Sequence, residues 1–389
     1  MSITTPRGFV ASGLASGIKA SGALDLALVS TDDGGAVPTA ATFTSNLAAA
    51  APVQVSREHL AATGGRATAV LVSSGNANAA TGDRGRTDAS AMCALAADGL
   101  GVPADHVLVC STGLIGVPLP MGPITDGIPR LVAARSGGDA AGLDAATGIL
   151  TTDSGRKEML VEYPGFTVAG MAKGAGMLAP DMATMLAFLT TDAAVEPGPL
   201  AEILRAGVAD SFNSMSVDGC TSTNDTVVLM ASGRAGRVDP TLVADAVAEV
   251  CADLAGQMAA DAEGADTIFQ VQVTGARTDA EAHRAARKVA DSLLVKCSIN
   301  GRDPYWGRVA SELGSAGVDF DMDRLTIAYG GTTVCRDGVR VDHDHAAVAA
   351  HMAGSLIRIE CGLGLASGTG VVLGVELGYG YIDENRTTS

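Results

Sequence analysis

Aromatic side chains are scarce: they make up 3% of the 389 residues, with a single Trp. Apolar residues still reach 47% and Gly numbers 49, so the core must be built from closely packed Ala, Val and Leu. That apolar content excludes a disordered chain. Basic residues are few as well, 26 Lys and Arg against 43 Asp and Glu, for a formal charge of −17. Phosphate binding needs clustered cations, so the balance argues against a nucleic-acid partner, and the acidic excess is read as solubility. The seven cysteines include no CxxC pair, and their number is odd. Neither a zinc site nor a disulfide framework is expected, only buried free thiols in a reducing cytoplasm. No run of about 18 apolar residues appears, which excludes a transmembrane helix. Glycines break the stretch between Arg7 and Lys19, so no secretory signal is expected.

What is present is a set of short apolar strands and amphipathic helices. Strands are predicted at Thr68–Ser74, Val107–Cys110, Thr167–Met171, Thr184–Leu189, Thr226–Met230, Thr267–Val273, Leu325–Tyr329 and Val371–Leu377. Helices are predicted over Asp88–Asp98, capped by Thr87, and over Pro199–Phe212. A third opens at Asp239-Pro240 with Val243, Val247, Val250, Leu254 and Met258 on one stripe. A capping-box pattern at Thr278 and Glu281 starts a helix reaching Leu294, and another is predicted over Ala346–Ile357. Gly174, Gly176 and Pro180 make Lys173–Asp181 an irregular loop.

By residue type, Thr184 is an ordinary strand residue. Its surroundings allow more. Ala183 is small, which leaves its carbonyl open to the Thr184 hydroxyl, and the glycine-rich loop before it can hold a strained peptide. An N→O acyl shift would turn that peptide into an ester, and hydrolysis would release a new N-terminal threonine. A free α-amine in an unstructured peptide titrates at roughly 7.7–8.0, so the released amine could serve as general base for its own hydroxyl near neutral pH.

The stretch Lys173–Leu186, KGAGMLAPDMATML, resembles the self-cleavage motif K-G-x-G-M-x-x-P-x-M-A-T-M-L of the glutamate N-acetyltransferase (ornithine acetyltransferase) family, and every fixed position is matched. The resemblance continues through Ser74–Ala79 (SGNANA), Ser111–Gly116 (STGLIG), Thr151-Thr152-Asp153, Asp261–Ala265, Gly301–Pro304 with Trp306-Gly307-Arg308, and Asn385. It implies an α+β fold, with an α/β/β/α layered core of the aminopeptidase/ornithine acetyltransferase type and a smaller C-terminal α/β lobe over about residues 280–389. It implies cleavage between Ala183 and Thr184 into chains 1–183 and 184–389, which stay associated and pair again as α2β2. Thr184 becomes the nucleophile, and Thr112 with Gly113 forms the oxyanion hole. The substrate is bound by Thr152, Lys173, Thr184, Glu263, Asn385 and Ser389. Lys173 suits an α-carboxylate, and Glu263 suits a substrate amino group. The reaction implied is ping-pong acetyl transfer from N-acetylornithine to glutamate, without metal or other cofactor, and with acetyl-CoA as a further donor in bifunctional members.

The sequence departs from the family pattern in three places. Tyr305 stands where Asn usually precedes Trp-Gly-Arg, Leu293 replaces a Pro, and the chain runs slightly less far beyond Asn385, so Ser389 takes the terminal contact. His343 and His345 in VDHDHA read as a solvated turn. The glycines near Gly174 lack a following GK[ST], which excludes a P-loop. Two other functions fit parts of the pattern. An N-terminal-nucleophile aminopeptidase or amidase would pass the same acyl group to water. An uncleaved relative would act only as a binding or structural protein.

Overall fold

Side chains alternate across a strand, and the strand Ala69–Asn76 is buried on both faces. Ala69 and Leu71 join one apolar cluster, while Val70 and Val72 join another. The same division runs through Leu26–Thr31 and Val107–Leu114: Leu26, Leu28, Val107 and Val109 face one way, and Ala27, Val29, Leu108 and Cys110 the other. Both faces of this sheet must therefore be covered. The computed structural model describes residues 2–177 and 185–386.

In chain order the first part comprises β1 (Phe9–Leu14), β2 (Leu26–Thr31), β3 (Val37–Phe43), α1 (Ala51–Ala62), β4 (Arg66–Ala67), β5 (Ala69–Asn76), α2 (Gly82–Leu100), β6 (Val107–Leu114), α3 (Met121–Ala134) and α4 (Asp139–Gly148). β1-β2-β5-β6 form one sheet, with β5 and β6 parallel. Then follow β7 (Lys157–Tyr163), β8 (Phe166–Lys173), β9 (Leu186–Ala193), α5 (Pro197–Ala209), β10 (Met215–Ser216), β11 (Thr226–Gly236) and α6 (Pro240–Ala260). The second sheet runs β4-β3-β11-β9-β8-β7.

Leu186 and Phe188 of β9, with Val228 and Met230 of β11, meet Val70, Val72 and Leu108 between the two sheets. Ala187, Leu189, Val227 and Leu229 point outward against Leu204 of α5 and Val247, Val250 and Leu254 of α6. On the far side of the first sheet, Leu71 and Val109 pack against Met92 of α2 and Ile128 of α3. The core is thus layered α/β/β/α.

The C-terminal lobe contains β12 (Ile268–Ala276), α7 (Asp279–Asp291), α8 (Leu293–Asn300), α9 (Trp306–Gly314), β13 (Thr326–Tyr329), β14 (Thr332–Arg336), β15 (Val339–Arg340), α10 (His345–Met352), β16 (Leu356–Gly362), β17 (Gly368–Val375) and α11 (Tyr379–Glu384). Its sheet runs β10-β17-β12-β16-β13-β14-β15 and is backed by its own apolar cluster from α7, α8 and α9. β12 is an interior strand of that sheet, between β17 and β16.

Several elements differ from their expected bounds. α2 starts at Gly82 rather than Asp88, and the Thr87 hydroxyl donates to the Asp83 carbonyl (3.0 Å) inside the helix instead of capping it. The predicted helix to Leu294 is two helices. Thr278 caps α7 by accepting the Glu281 N–H (3.2 Å), and Ser292 then accepts from Val295 N (3.4 Å) to start α8. α10 ends at Met352, and Ile357 lies in β16. The Asp239 cap of α6 is as expected, accepting from Thr241 N at 2.9 Å. Among the described residues, no helix is long and apolar enough to cross a membrane.

Candidate active site

Four strand ends meet at one edge of the stacked sheets. β5 and β6 run parallel, so Ser73-Ser74-Gly75 lies beside Ser111-Thr112-Gly113. In the second sheet Lys173 ends β8 opposite Leu186, and Thr226 starts β11 opposite the same Leu186. The STG segment belongs to β6 rather than to a turn after it.

Gly113 is fixed as glycine by two facts. Its φ is +129°, and a Cβ there would lie 2.3 Å from the Gly75 carbonyl carbon. The ladder bulges at this point, with Asn76 paired to both Thr112 and Leu114. The Asn224 amide holds the bulge by donating to the carbonyls of Ser111 (2.9 Å) and Ala77 (2.6 Å). The two sheets are joined by Lys173 Nζ, 3.4 Å from Thr112 Oγ1.

Lys173 is 2% exposed. Its ammonium donates to Thr151 Oγ1 at 2.6 Å and stands 3.7 Å from Asp153 Oδ2. Burial pulls the ammonium below the usual lysine range, with Asp153 opposing the shift. Burial pushes the Asp153 carboxyl up, but Lys173, Lys157 and the Gly174 N–H outweigh it and hold it well below the carboxylate range. Asp153 accepts from Lys157 Nζ at 2.7 Å, from Gly174 N at 2.6 Å and from Thr151 N at 3.1 Å. Lys157 reaches on to Asp261 at 2.6 Å. Asp153 therefore ties together the TTD segment, the end of β8 and the loop beyond α6.

A second group adjoins the first through the neighbouring threonine. Thr152 Oγ1 donates to Glu263 Oε1 at 2.7 Å, and Asn385 Nδ2 donates to Glu263 Oε2 at 2.9 Å. Glu263 N donates to the Ala175 carbonyl (3.0 Å), which draws the carboxylate over Gly176. Any Cβ on Gly176 would lie 2.2 Å from it. Thr152, Asp261, Glu263 and Glu384 line a cleft of about 360 Å³.

Six expected site residues thus gather in two adjoining groups: Thr112, Gly113 and Lys173, then Thr152, Glu263 and Asn385. Ala183, Thr184 and Ser389 lie outside the described residues. Sequence reasoning gave no role to Asp153, Lys157, Asn224 or Asp225. Asp153 stood inside the matched TTD run, and the other three carried no local signal, because their roles depend on which strands become neighbours. A cation and a carboxylate held through adjacent threonines suit an amino-acid ligand that carries both charges. A hydroxyl beside a glycine bulge suits a developing oxyanion.

Comparison with known proteins finds relatives over the whole chain. The ArgJ family model matches residues 10–387. A protein of Mycolicibacterium paratuberculosis named "Arginine biosynthesis bifunctional protein ArgJ" is 45% identical over 395 residues, covering 100% of this chain and 96% of that one. A protein of the same name from Thermobifida fusca is 43% identical over 392 residues, covering 100% of both. Among solved structures, ornithine acetyltransferase from Mycobacterium tuberculosis, complexed with ornithine, is 44% identical. The match covers 46% of this chain and 94% of that one, with a TM-score of 0.44.

Proposed function

The chain belongs to the ArgJ family, and from that premise we propose that it moves an acetyl group from N-acetylornithine to glutamate through an ester on Thr184. The coarse assignment, an acyltransferase of arginine biosynthesis, follows from the family. The finer one rests on the site. After self-cleavage at Ala183-Thr184, the new α-amine takes the proton of the Thr184 hydroxyl as the oxygen attacks the acetyl carbonyl. The Thr112 hydroxyl and the Gly113 N–H stabilise the oxyanion. Collapse expels ornithine and leaves acetyl-Thr184, and glutamate's amine then takes the acetyl group by the same path in reverse. Acetyl-CoA is a second acetyl donor in this reading. Chains 1–183 and 184–389 stay together, since β8 and β9 pair across the cleavage segment, and two such pairs form α2β2.

The observation that carries the reading is the placement of the Lys173 ammonium. It lies buried 3.4 Å from Thr112 Oγ1, so a substrate carboxylate drawn to it arrives beside the oxyanion donors. Thr152 and Asn385, bound to Glu263, line the amino end, with Ser389 as the terminal contact. The test is product analysis with N-acetylornithine, with and without glutamate. Acetylglutamate formed at the rate of ornithine release supports transfer. Acetate formed regardless of glutamate supports the amidase alternative and overturns the reading.

A further inference from the structure

One buried carboxylate beside the proposed cleavage point has no part in the chemistry above. Asp225 precedes β11 and is 0% exposed. Its Oδ1 accepts the Met185 N–H at 2.9 Å, and Met185 is covalently the next residue after Thr184. Its Oδ2 is buried and has no hydrogen-bond partner among the described residues. Burial pushes this carboxyl well above the carboxylate range, with the Met185 N–H, Thr44 and Lys173 opposing. Burying a carboxyl with one oxygen unpaired among the described residues is costly.

The same loop supplies a second acceptor. Asp218 Oδ2 accepts the Met177 N–H at 2.6 Å. Met177 has φ of +52°, a strained value for a residue other than glycine. Two carboxylates seven positions apart (225 − 218) therefore hold the backbone at residues 177 and 185, on either side of Ala183-Thr184. The loop itself is anchored: Asn224 is tied to the Ser111 and Ala77 carbonyls, and the Asp225 carbonyl accepts Thr44 N at 3.0 Å. The clamp is thus continuous with the strand that carries Thr112 and Gly113.

We infer that Asp225 is a positioning residue for the self-cleavage, fixing the backbone at Met185, the residue that follows Thr184. Asp225 takes no part in bond exchange. The shift moves the hydroxyl proton to the Ala183-Thr184 nitrogen as the C–O bond forms and the C–N bond breaks, and water then splits the ester. Asp225 acts by restricting the approach, and Asp218 does the same from the other side. This inference rests on the self-cleavage reading.

The test follows splitting of the freshly translated full chain on a denaturing gel, with Thr184→Ala as the uncut reference. Asp225→Asn keeps an acceptor oxygen and is expected to split within about threefold of wild type, whereas Asp225→Leu, of similar size with no acceptor, is expected to slow about tenfold, as the loss of one hydrogen bond to the Met185 N–H implies. Melting of each purified chain separates this effect from unfolding. Should the leucine variant fail to melt cooperatively, Asp225→Ala takes its place. A folded leucine or alanine variant that splits at the wild-type rate overturns the inference, as does an asparagine variant as slow as leucine. A wild-type chain that never splits defeats the self-cleavage reading itself.

Discussion

Lys173 Nζ and Asp153 Oδ2 lie 3.7 Å apart, both side chains shut away from solvent. The pair carries two loads. Asp153 neutralises a buried cation, the one proposed to meet a substrate carboxylate, and through Lys157 and the Gly174 N–H it joins three separate segments. Removing one partner of a buried pair leaves the other charge uncompensated. Asp153→Ala should therefore cost roughly 3–5 kcal/mol of stability, read by urea unfolding. A loss under about 1 kcal/mol, as for a surface pair, would contradict this.

The same carboxylate sets an acid limit. Its folded-state pKa is depressed, so the unfolded chain binds the proton more readily. Its contribution to stability is complete above the unfolded value of about 3.9 and is lost as pH falls through the lower folded value. In Asp153→Asn this acid-side slope should flatten in unfolding curves taken from neutral pH downward. An unchanged slope would remove Asp153 from the account.

Lys173 sets a limit at the other end. Burial lowers its pKa, so the ammonium loses its proton below the usual lysine value of about 10.4, and the proposed carboxylate binding should fail as pH rises. KM for N-acetylornithine should climb on the alkaline side. Lys173→Arg, which stays charged, should lose that limb even where its KM is raised throughout. A limb that persists in the arginine variant belongs to another group.

In the proposed reaction Glu263 meets the amino end of the ligand, and N-acetylornithine carries a side-chain ammonium that glutamate lacks. Glu263→Gln should raise KM for N-acetylornithine by about tenfold or more, the scale of one charge-assisted hydrogen bond, and change KM for glutamate less. Equal effects on both substrates would show that Glu263 only braces Thr152 and Asn385. On the oxyanion side, Thr112→Val should lower kcat by roughly 10²–10³ with little change in KM. A variant altered only in KM would contradict that role.

Much of the layout was legible because local signals agreed with tertiary ones. The Asp239 cap and the Val243-to-Met258 stripe mark α6, and the apolar run at Val70–Val72 marks a strand buried on both faces. Elsewhere the deciding contact was distant. α2 begins at Gly82 although its first turn has no apolar face. There Asn78 Nδ2 donates to the Gly85 carbonyl at 2.8 Å, and Gly85 has no room for a Cβ against the Thr81 side chain. Leu293 and Leu294 read as a continuation of α7, yet both are exposed, and Ser292 turns the chain onto a new axis. Of the site, Lys173, Thr112 and Gly113 were visible in motifs. Asp225 was not, because its role appears only when β9 and β11 lie side by side.

Whether Thr184 cuts its own chain and then carries the acetyl group is tested most directly by intact-mass measurement of wild type and Thr184→Ala. Wild type should resolve into masses for residues 1–183 and 184–389, with one acetyl group added to the second after exposure to N-acetylornithine, and Thr184→Ala should stay at full length. An active wild type at full-length mass, or a Thr184→Ala chain split after residue 183, would contradict this.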